Sequence, residues 1–101
     1  MTRLKRRYLR LNWLYFGNRL PLDTQVKWHR MRGDDSDSAA FVEFDDPPTI
    51  CVSKELRAWP RIAEFSLLHE MVHLDSGAEH GARWQRGMRR LARVGAFAKL
   101  W

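Results

Sequence analysis

Three segments of the chain carry apolar residues at the three- and four-residue spacing of an amphipathic helix. The first covers residues 3–16 and ends at Gly17-Asn18, which is a helix-stop signal. The second begins at Pro60, a residue suited to the first turn of a helix, and continues to about Leu74. The third runs from about Ala82 to Val94. The residues predicted to face the core are Ile62, Phe65, Leu68, Met71 and Val72 in the second helix, and Trp84, Met88 and Leu91 in the third.

Between the first two helices the pattern changes to the two-residue alternation of β-strands. Strands are predicted at residues 24–31, 39–44 and 49–53, with a polar turn over 32–38 and a short helical turn over 54–57. Two prolines at 47 and 48 separate the last two strands, because proline lacks the amide hydrogen that a sheet needs. The residues predicted to point inward are Val26 and Trp28, then Ala40, Val42 and Phe44, then Ile50 and Val52. The order of helix, three strands and two helices predicts one α+β domain over residues 1–101.

Length and composition narrow the class of protein further. A chain of 101 residues, 45% of them hydrophobic, can build one core. Its apolar runs fall far short of the roughly 18 residues that span a bilayer, and no signal-peptide cleavage site follows the basic N-terminus. Cys51 has no second cysteine to pair with, which excludes an internal disulfide and favours a packing role in its strand. We therefore expect a cytoplasmic or nucleoid-associated protein that is neither secreted nor inserted in a membrane.

The net charge of +6 is unevenly distributed along the chain. Residues 1–32 hold nine Lys/Arg and one acid, residues 33–56 hold one Lys and seven acids, and residues 57–101 hold eight Lys/Arg and four acids. The net charges of the three parts are therefore +8, −6 and +4. Basic ends of this kind indicate either a solvated surface or a surface for polyanions, and the first and last helices make DNA a candidate partner.

The second helix contains the sequence His69-Glu70-Met71-Val72-His73. Four residues advance a helix by roughly 400°, so the two imidazoles lie one turn apart on nearly the same face and can grip one metal ion. Glu70 lies about 100° around the helix from His69, where its carboxylate can accept a proton from a water that the metal activates. The simpler interpretation is a pair of core histidines that are hydrogen-bonded to their neighbours. The position of the motif inside a long apolar helix favours a zinc site.

Catalytic zinc usually has three protein ligands and one open position. His80 is the candidate for the third ligand, because Gly77, Ala78 and Gly81 allow the chain to turn back over the end of the helix. Glu79 and Asp75 are rival ligands in the same turn. Imidazole suits zinc and leaves more positive charge on the ion, which favours His80.

Several of these residues together resemble the SprT-like domain. The resemblance rests on Leu11-Asn12, residues 16–21, the strand with Trp28, residues 50–56, residues 67–73, and His80-Gly81 followed by Trp84. It covers nearly the whole chain, as a minimal version without the C-terminal zinc ribbon that many bacterial relatives carry. The family, which includes bacterial SprT proteins and the eukaryotic protease Spartan, consists of zincin-type zinc metalloproteases. The resemblance implies that His69, His73 and His80 bind zinc and that Glu70 is catalytic.

The predicted function is therefore zinc-dependent hydrolysis of peptide bonds in a protein or peptide substrate. Spartan-like relatives act on proteins bound or crosslinked to DNA, which makes DNA-associated proteins candidate substrates. The alternatives are a YgjP-like metal-dependent hydrolase, whose metal helix is similar, and a non-enzymatic nucleic-acid-binding module that zinc stabilises. The second strand is a candidate for holding an extended substrate. The donor that stabilises the oxyanion stays open among Tyr8, Tyr15, His29 and nearby arginines, with His29 also interpreted as a surface histidine.

Overall fold

The computed structural model describes residues 1–31, 39–98 and 100. Three α-helices frame a three-stranded sheet: α1 (Arg3–Phe16), β1 (Gln25–His29), β2 (Ala40–Glu43), β3 (Thr49–Ser53), α2 (Pro60–Ser76) and α3 (Ala82–Arg93). A 3-10 helix, Lys54–Ala58, joins β3 to α2. The predicted α+β class is confirmed at this level. The predicted polar turn over 32–38 lies outside the described residues.

The helix ends have local causes. Thr2 accepts a hydrogen bond from the amide of Lys5 and caps the start of α1, while Gly17 adopts a left-handed conformation at its end. Pro60 stands in the first turn of α2, where a missing amide hydrogen costs nothing. Gly77 ends α2 with φ of 106°, in a region that L-residues rarely adopt. These signals explain why the predicted helices lie within two residues of the observed ones.

The sheet is mixed, with strand order β1-β3-β2. β1 runs parallel to β3, with Val26 opposite Ile50, and β2 runs antiparallel to β3, with Val42 also opposite Ile50. β3 is therefore the central strand, and Ile50, Cys51 and Val52 are fully buried in it. The second strand of the sequence forms an edge of this sheet. No other described residue pairs with its outer side.

The core lies between the sheet and the helices. α1 packs against β1, α2 packs against β2 and β3, and α3 packs against α2. The largest fully buried side chains are Tyr8, Phe16, Ile50, Leu67, Leu68, Met71 and Leu91. In the part of the chain that the structure describes, no helix is long and apolar enough to cross a membrane.

Two residues predicted to face the core do not. Phe44 lies just beyond the end of β2 and is 52% exposed, so the inward alternation of that strand stops at Val42. Ile62 lies in the first turn of α2 and is 47% exposed. Helical spacing correctly places Ile62 on the side of Phe65, but at this end of α2 the described residues leave its side chain partly open to solvent. Periodicity indicates the face of a helix, not how far along the helix the packing extends.

Candidate metal centre

The middle of α2 presents two imidazoles to the same side. His69 and His73 are one helical turn apart, and their ring centroids are 5.0 Å from each other. His73 is buried and His69 is half-buried. The apolar neighbours Leu68, Met71 and Val72 are buried at or below 1% exposure and anchor this part of the helix in the core. The two rings therefore project from a backbone that is held rigidly on the sheet.

The connection between α2 and α3 brings a third imidazole to the same place. The amide of Gly77 donates to the carbonyl of His73, and the chain then reverses before α3 starts at Ala82. Nε2 of His80 lies 3.0 Å from Nε2 of His73 and 3.4 Å from Nε2 of His69. One ring nitrogen from each of the three histidines lies within 4.8 Å of the other two. The predicted set of His69, His73 and His80 is thus assembled in three dimensions.

These separations fit a metal ion. Four-coordinate zinc has Zn–N bonds of about 2.0–2.1 Å, which places neighbouring nitrogens of a tetrahedron about 3.3 Å apart. Two neutral imidazoles that point lone pairs at each other over such distances repel, unless a proton or a cation lies between them. Burial, and then the neighbouring His73 and His80, lower the pKa of His69 to about 4. His69 is therefore neutral at pH 7, as a metal ligand must be.

A hydrogen bond sets the tautomer of His73. Its Nδ1 lies 2.9 Å from the carbonyl oxygen of Gly77, and a carbonyl can only accept. Nδ1–H therefore donates to Gly77, and Nε2 keeps the lone pair that faces the cluster. Such a bond on the far nitrogen fixes both the tautomer and the orientation of a ligating histidine.

Glu70 lies beside the imidazoles as the helix spacing predicts. Its Oε2 is 3.8 Å from Nε2 of His69, and the residue is 8% exposed. Burial raises the pKa of Glu70 to about 7. A carboxyl group with this pKa both accepts and releases a proton near neutral pH, which is the property of a general base.

An open cleft of about 390 Å³ gives access to the cluster. The histidines and Glu70 form one wall, and Phe65 and Ser66 continue that wall along α2. Ala39 and Ala40, at the start of the edge strand β2, also line the cleft.

The rival ligands lie elsewhere. Asp75 forms an ion pair with Arg19, with 2.8 Å between its Oδ2 and the guanidinium Nη2. Glu79 is exposed and, among the described residues, does not belong to the group of convergent ligand atoms. The third candidate ligand in the structure is therefore the histidine.

None of the named oxyanion donors lines this cleft. Tyr8 is fully buried and donates its hydroxyl to the carbonyl of Pro21, and burial raises its pKa. Tyr15 lines a separate groove along α1. His29 packs its ring edge-on against Phe41, with centroids 5.4 Å apart. The sequence interpretation of His29 was a surface histidine, whereas the structure places it half-buried and away from the residues that line the cleft.

One residue beside the cluster was not anticipated as part of it. Trp84 was predicted only to cover the metal helix as a core residue, yet its ring contacts all three imidazoles. The signals in the sequence are its position four residues after His80, at the start of α3, and its place in the resemblance to the SprT-like domain.

No protein-family model matches the chain, and no curated protein matches it.

Proposed function

We propose that this protein is a zinc metallopeptidase of the zincin type, similar to the SprT-like domain, that hydrolyses peptide bonds in proteins or peptides. The observation that carries the proposal is the convergence of three imidazole nitrogens beside a buried carboxylate in one open cleft. Three protein ligands with an open position are typical of catalytic zinc, whereas structural zinc is usually closed by a fourth protein ligand. His69, His73 and His80 would hold the ion.

When bound, zinc would polarise the scissile carbonyl and lower the pKa of water at the site. Glu70 supplies the proton transfer. Its carboxylate accepts the proton of the attacking water, and the resulting carboxylic acid returns that proton to the leaving amine. A pKa near 7 suits both directions of this transfer, and the burial of Glu70 produces that value.

The edge strand β2 offers a way to hold the substrate. Its inner side pairs with β3, and its start lies at the rim of the cleft through Ala39 and Ala40. An extended peptide that adds to the outer side of β2 would receive main-chain hydrogen bonds and pass over the imidazoles. In this binding mode the protein recognises the backbone of the substrate more than its side chains.

The proposal is tested first with Glu70→Gln. Glutamine has nearly the same shape but cannot accept the proton, so peptide hydrolysis by the zinc-loaded protein is expected to fall by a factor of about 10²–10⁴. Zinc content, measured by elemental analysis, is expected to stay near one ion per chain. Glu79→Gln is the matched control, because it removes an exposed carboxylate from the same region and should leave hydrolysis unchanged.

If the zinc-loaded wild type hydrolyses neither unfolded proteins nor mixed peptides, the result would favour the alternative of a zinc-stabilised binding module. If the wild type instead cleaves only small non-peptide substrates, a hydrolase of the YgjP-like kind replaces the peptidase. Glu70→Gln separates these two outcomes, because it should abolish the hydrolysis of small substrates but leave the function of a binding module unchanged.

The ligand set is tested by three alanine variants. His80→Ala is expected to weaken zinc binding strongly, because it removes one of three bonds to the ion. Glu79→Ala and Asp75→Ala are expected to bind as the wild type does, since among the described residues neither carboxylate belongs to the group of convergent ligand atoms and Asp75 is paired with Arg19. Competition with a chromophoric chelator measures all three. Loss of zinc in Glu79→Ala alone would assign the third ligand to the carboxylate.

A second candidate function, binding of DNA, is favoured by a groove of about 550 Å³ along α1. Its lining contains Arg3, Arg6, Arg7 and Arg10, and among the described residues that line it Glu64 is the single carboxylate. Neither α1 nor α3 contains an acidic residue. A groove with this charge fits the phosphates of a nucleic acid, and the proposed substrates would then be DNA-associated proteins.

Fluorescence anisotropy with labelled DNA at several salt concentrations tests this second function. The logarithm of the binding constant is expected to fall linearly with the logarithm of the salt concentration. A variant that combines Arg6→Gln and Arg10→Gln is expected to reduce the slope of that line. Arg61→Gln is the control, because Arg61 does not line the groove. Absence of binding, or binding that salt does not change, would remove DNA from the proposal.

A further inference from the structure

The ring of Trp84 forms one wall of the histidine cluster. It stacks on His73 with an interplanar angle of 25° and a centroid distance of 5.6 Å. It meets His80 edge-on at 4.6 Å and His69 in a tilted arrangement at 5.0 Å. One rigid side chain therefore touches every imidazole that would bind the ion.

His80 has the greatest need of such support. His69 and His73 project from the middle of a long helix, whereas His80 lies in the connection between helices and is exposed. Its backbone carbonyl accepts a hydrogen bond of 3.3 Å from Nε2 of Gln85. Among the described residues, its ring contacts the other two imidazoles and Trp84. A flexible ligand loses conformational entropy when it binds, so a ligand held in place beforehand binds more tightly.

The polar end of Trp84 is not what holds it there. Its Nε1–H is buried and has no hydrogen-bond partner among the described residues. A buried donor without a partner costs free energy, so the indole nitrogen favours neither the fold nor this position. The contacts of Trp84 with the cluster are therefore made by the flat ring.

We propose that Trp84 is a positioning residue of the metal centre, whose ring holds the three imidazoles, and His80 above all, in the orientation that binds the ion. The inference rests on the metal site of the proposed function but does not require the peptidase reaction. Trp84 is not among the described residues that line the open cleft. Replacement of the ring should therefore weaken metal binding more than it weakens the fold.

The test compares Trp84→Leu with Trp84→Phe. Leucine keeps apolar bulk but removes the ring, and zinc affinity is expected to fall about 10- to 100-fold, the range found for residues that support metal ligands. Phenylalanine keeps a flat ring without the unpartnered N–H, and it is expected to restore most of the affinity. Trp59→Leu is the matched control, because Trp59 is 61% exposed at the start of α2, and it should bind zinc as the wild type does.

Cobalt(II) supplies a readout that a purely structural role would not change. The visible absorption bands of Co(II) report its coordination geometry, so Trp84→Leu is expected to alter them, whereas Trp84→Phe keeps them. Far-UV circular dichroism without metal should be the same for both variants and the wild type. Co(II) should also quench part of the wild-type tryptophan fluorescence, and Trp84→Phe should lose that part even if Trp84→Leu fails to fold.

The inference would be overturned if Trp84→Leu had the zinc affinity and the Co(II) absorption spectrum of the wild type. It would also be overturned if Co(II) quenched the tryptophan fluorescence of Trp84→Phe as much as that of the wild type. Failure of the proposed function gives a different result. In that case the wild type itself binds neither zinc nor cobalt, or it binds the metal with the expected dependence on Trp84 but does not hydrolyse peptides.

Discussion

Gly87 of α3 lies against Val72 of α2, the helix that carries two of the candidate ligands. A Cβ atom added at this position would lie 2.7 Å from Cγ1 of Val72, and 3.8 and 3.9 Å from its Cβ and Cγ2. Val72 is 1% exposed and has His73 as its neighbour in sequence. Gly87→Ala therefore forces the two helices apart at the place that positions the histidine cluster.

The expected effect on stability follows from two opposing magnitudes. Alanine in a helix interior is more favourable than glycine by about 0.8–1.0 kcal/mol. Ordinary carbon–carbon contacts are about 3.5–4.0 Å, so relieving the 2.7 Å contact requires a shift of about 1 Å. Valine in a helix has essentially one rotamer, which prevents rotation away from the clash, and overpacking a core costs about 1–3 kcal/mol. The net result is a destabilisation of about 1 kcal/mol, which lowers Tm by about 4–8 °C for a domain of this size.

The assay is thermal and urea unfolding in the wild-type and Val72→Ala backgrounds. Val72→Ala removes the atom that blocks the added Cβ, although it creates a cavity of its own. In that background Gly87→Ala should be neutral or stabilising, because only the gain in helix propensity remains. The sign of the Gly87→Ala effect is therefore expected to depend on residue 72, which a double-mutant cycle measures directly.

Zinc affinity gives a second measurement on the same four proteins. A shift of α3 relative to α2 moves His80 and Trp84 away from His69 and His73, so affinity should fall in Gly87→Ala and recover in the double variant. Stabilisation of the wild type by Gly87→Ala would refute the reasoning, since it would mean that no tight contact between α2 and α3 exists at this position.

The remaining predictions concern the frame around the site. Asn12→Ala is expected to destabilise by about 2–4 kcal/mol, because it leaves the amide and carbonyl of Leu20 without their buried partner; a loss below 1 kcal/mol in urea unfolding would contradict this. Arg6→Gln should raise the free energy of unfolding by about 0.5–1 kcal/mol at low salt, because it removes like-charge pairs with Arg3 and Arg10 on α1. A gain in stability that persists at high salt would argue against this cause. Asp75→Asn breaks an exposed ion pair with Arg19 and should cost at most about 1 kcal/mol, and a larger loss of Tm would indicate a further role for this carboxylate.

Local signals in the sequence predicted much of the fold. Gly17, Pro60 and Gly77 mark helix ends because their backbone preferences act within a few residues, and β3 has the predicted bounds 49–53. The pairing of His69 with His73 on one face is equally local, since it depends only on the geometry of one helix. The prediction that Phe44 and Ile62 face the core was wrong, because burial depends on which residues pack against a side chain, and periodicity does not contain that information.

The candidate site shows the same division. The sequence by itself determined that two imidazoles and Glu70 lie side by side, and that a glycine-containing turn follows. Only the tertiary structure shows that, among the described residues, His80 rather than Glu79 or Asp75 lies with the two imidazoles, and that Asp75 is paired with Arg19, 56 positions earlier in the chain. The packing of α3 on α2 also placed Trp84 against the cluster. Spacing along a helix is set by the backbone alone, whereas contacts between distant segments depend on how every packed side chain in the core fits together.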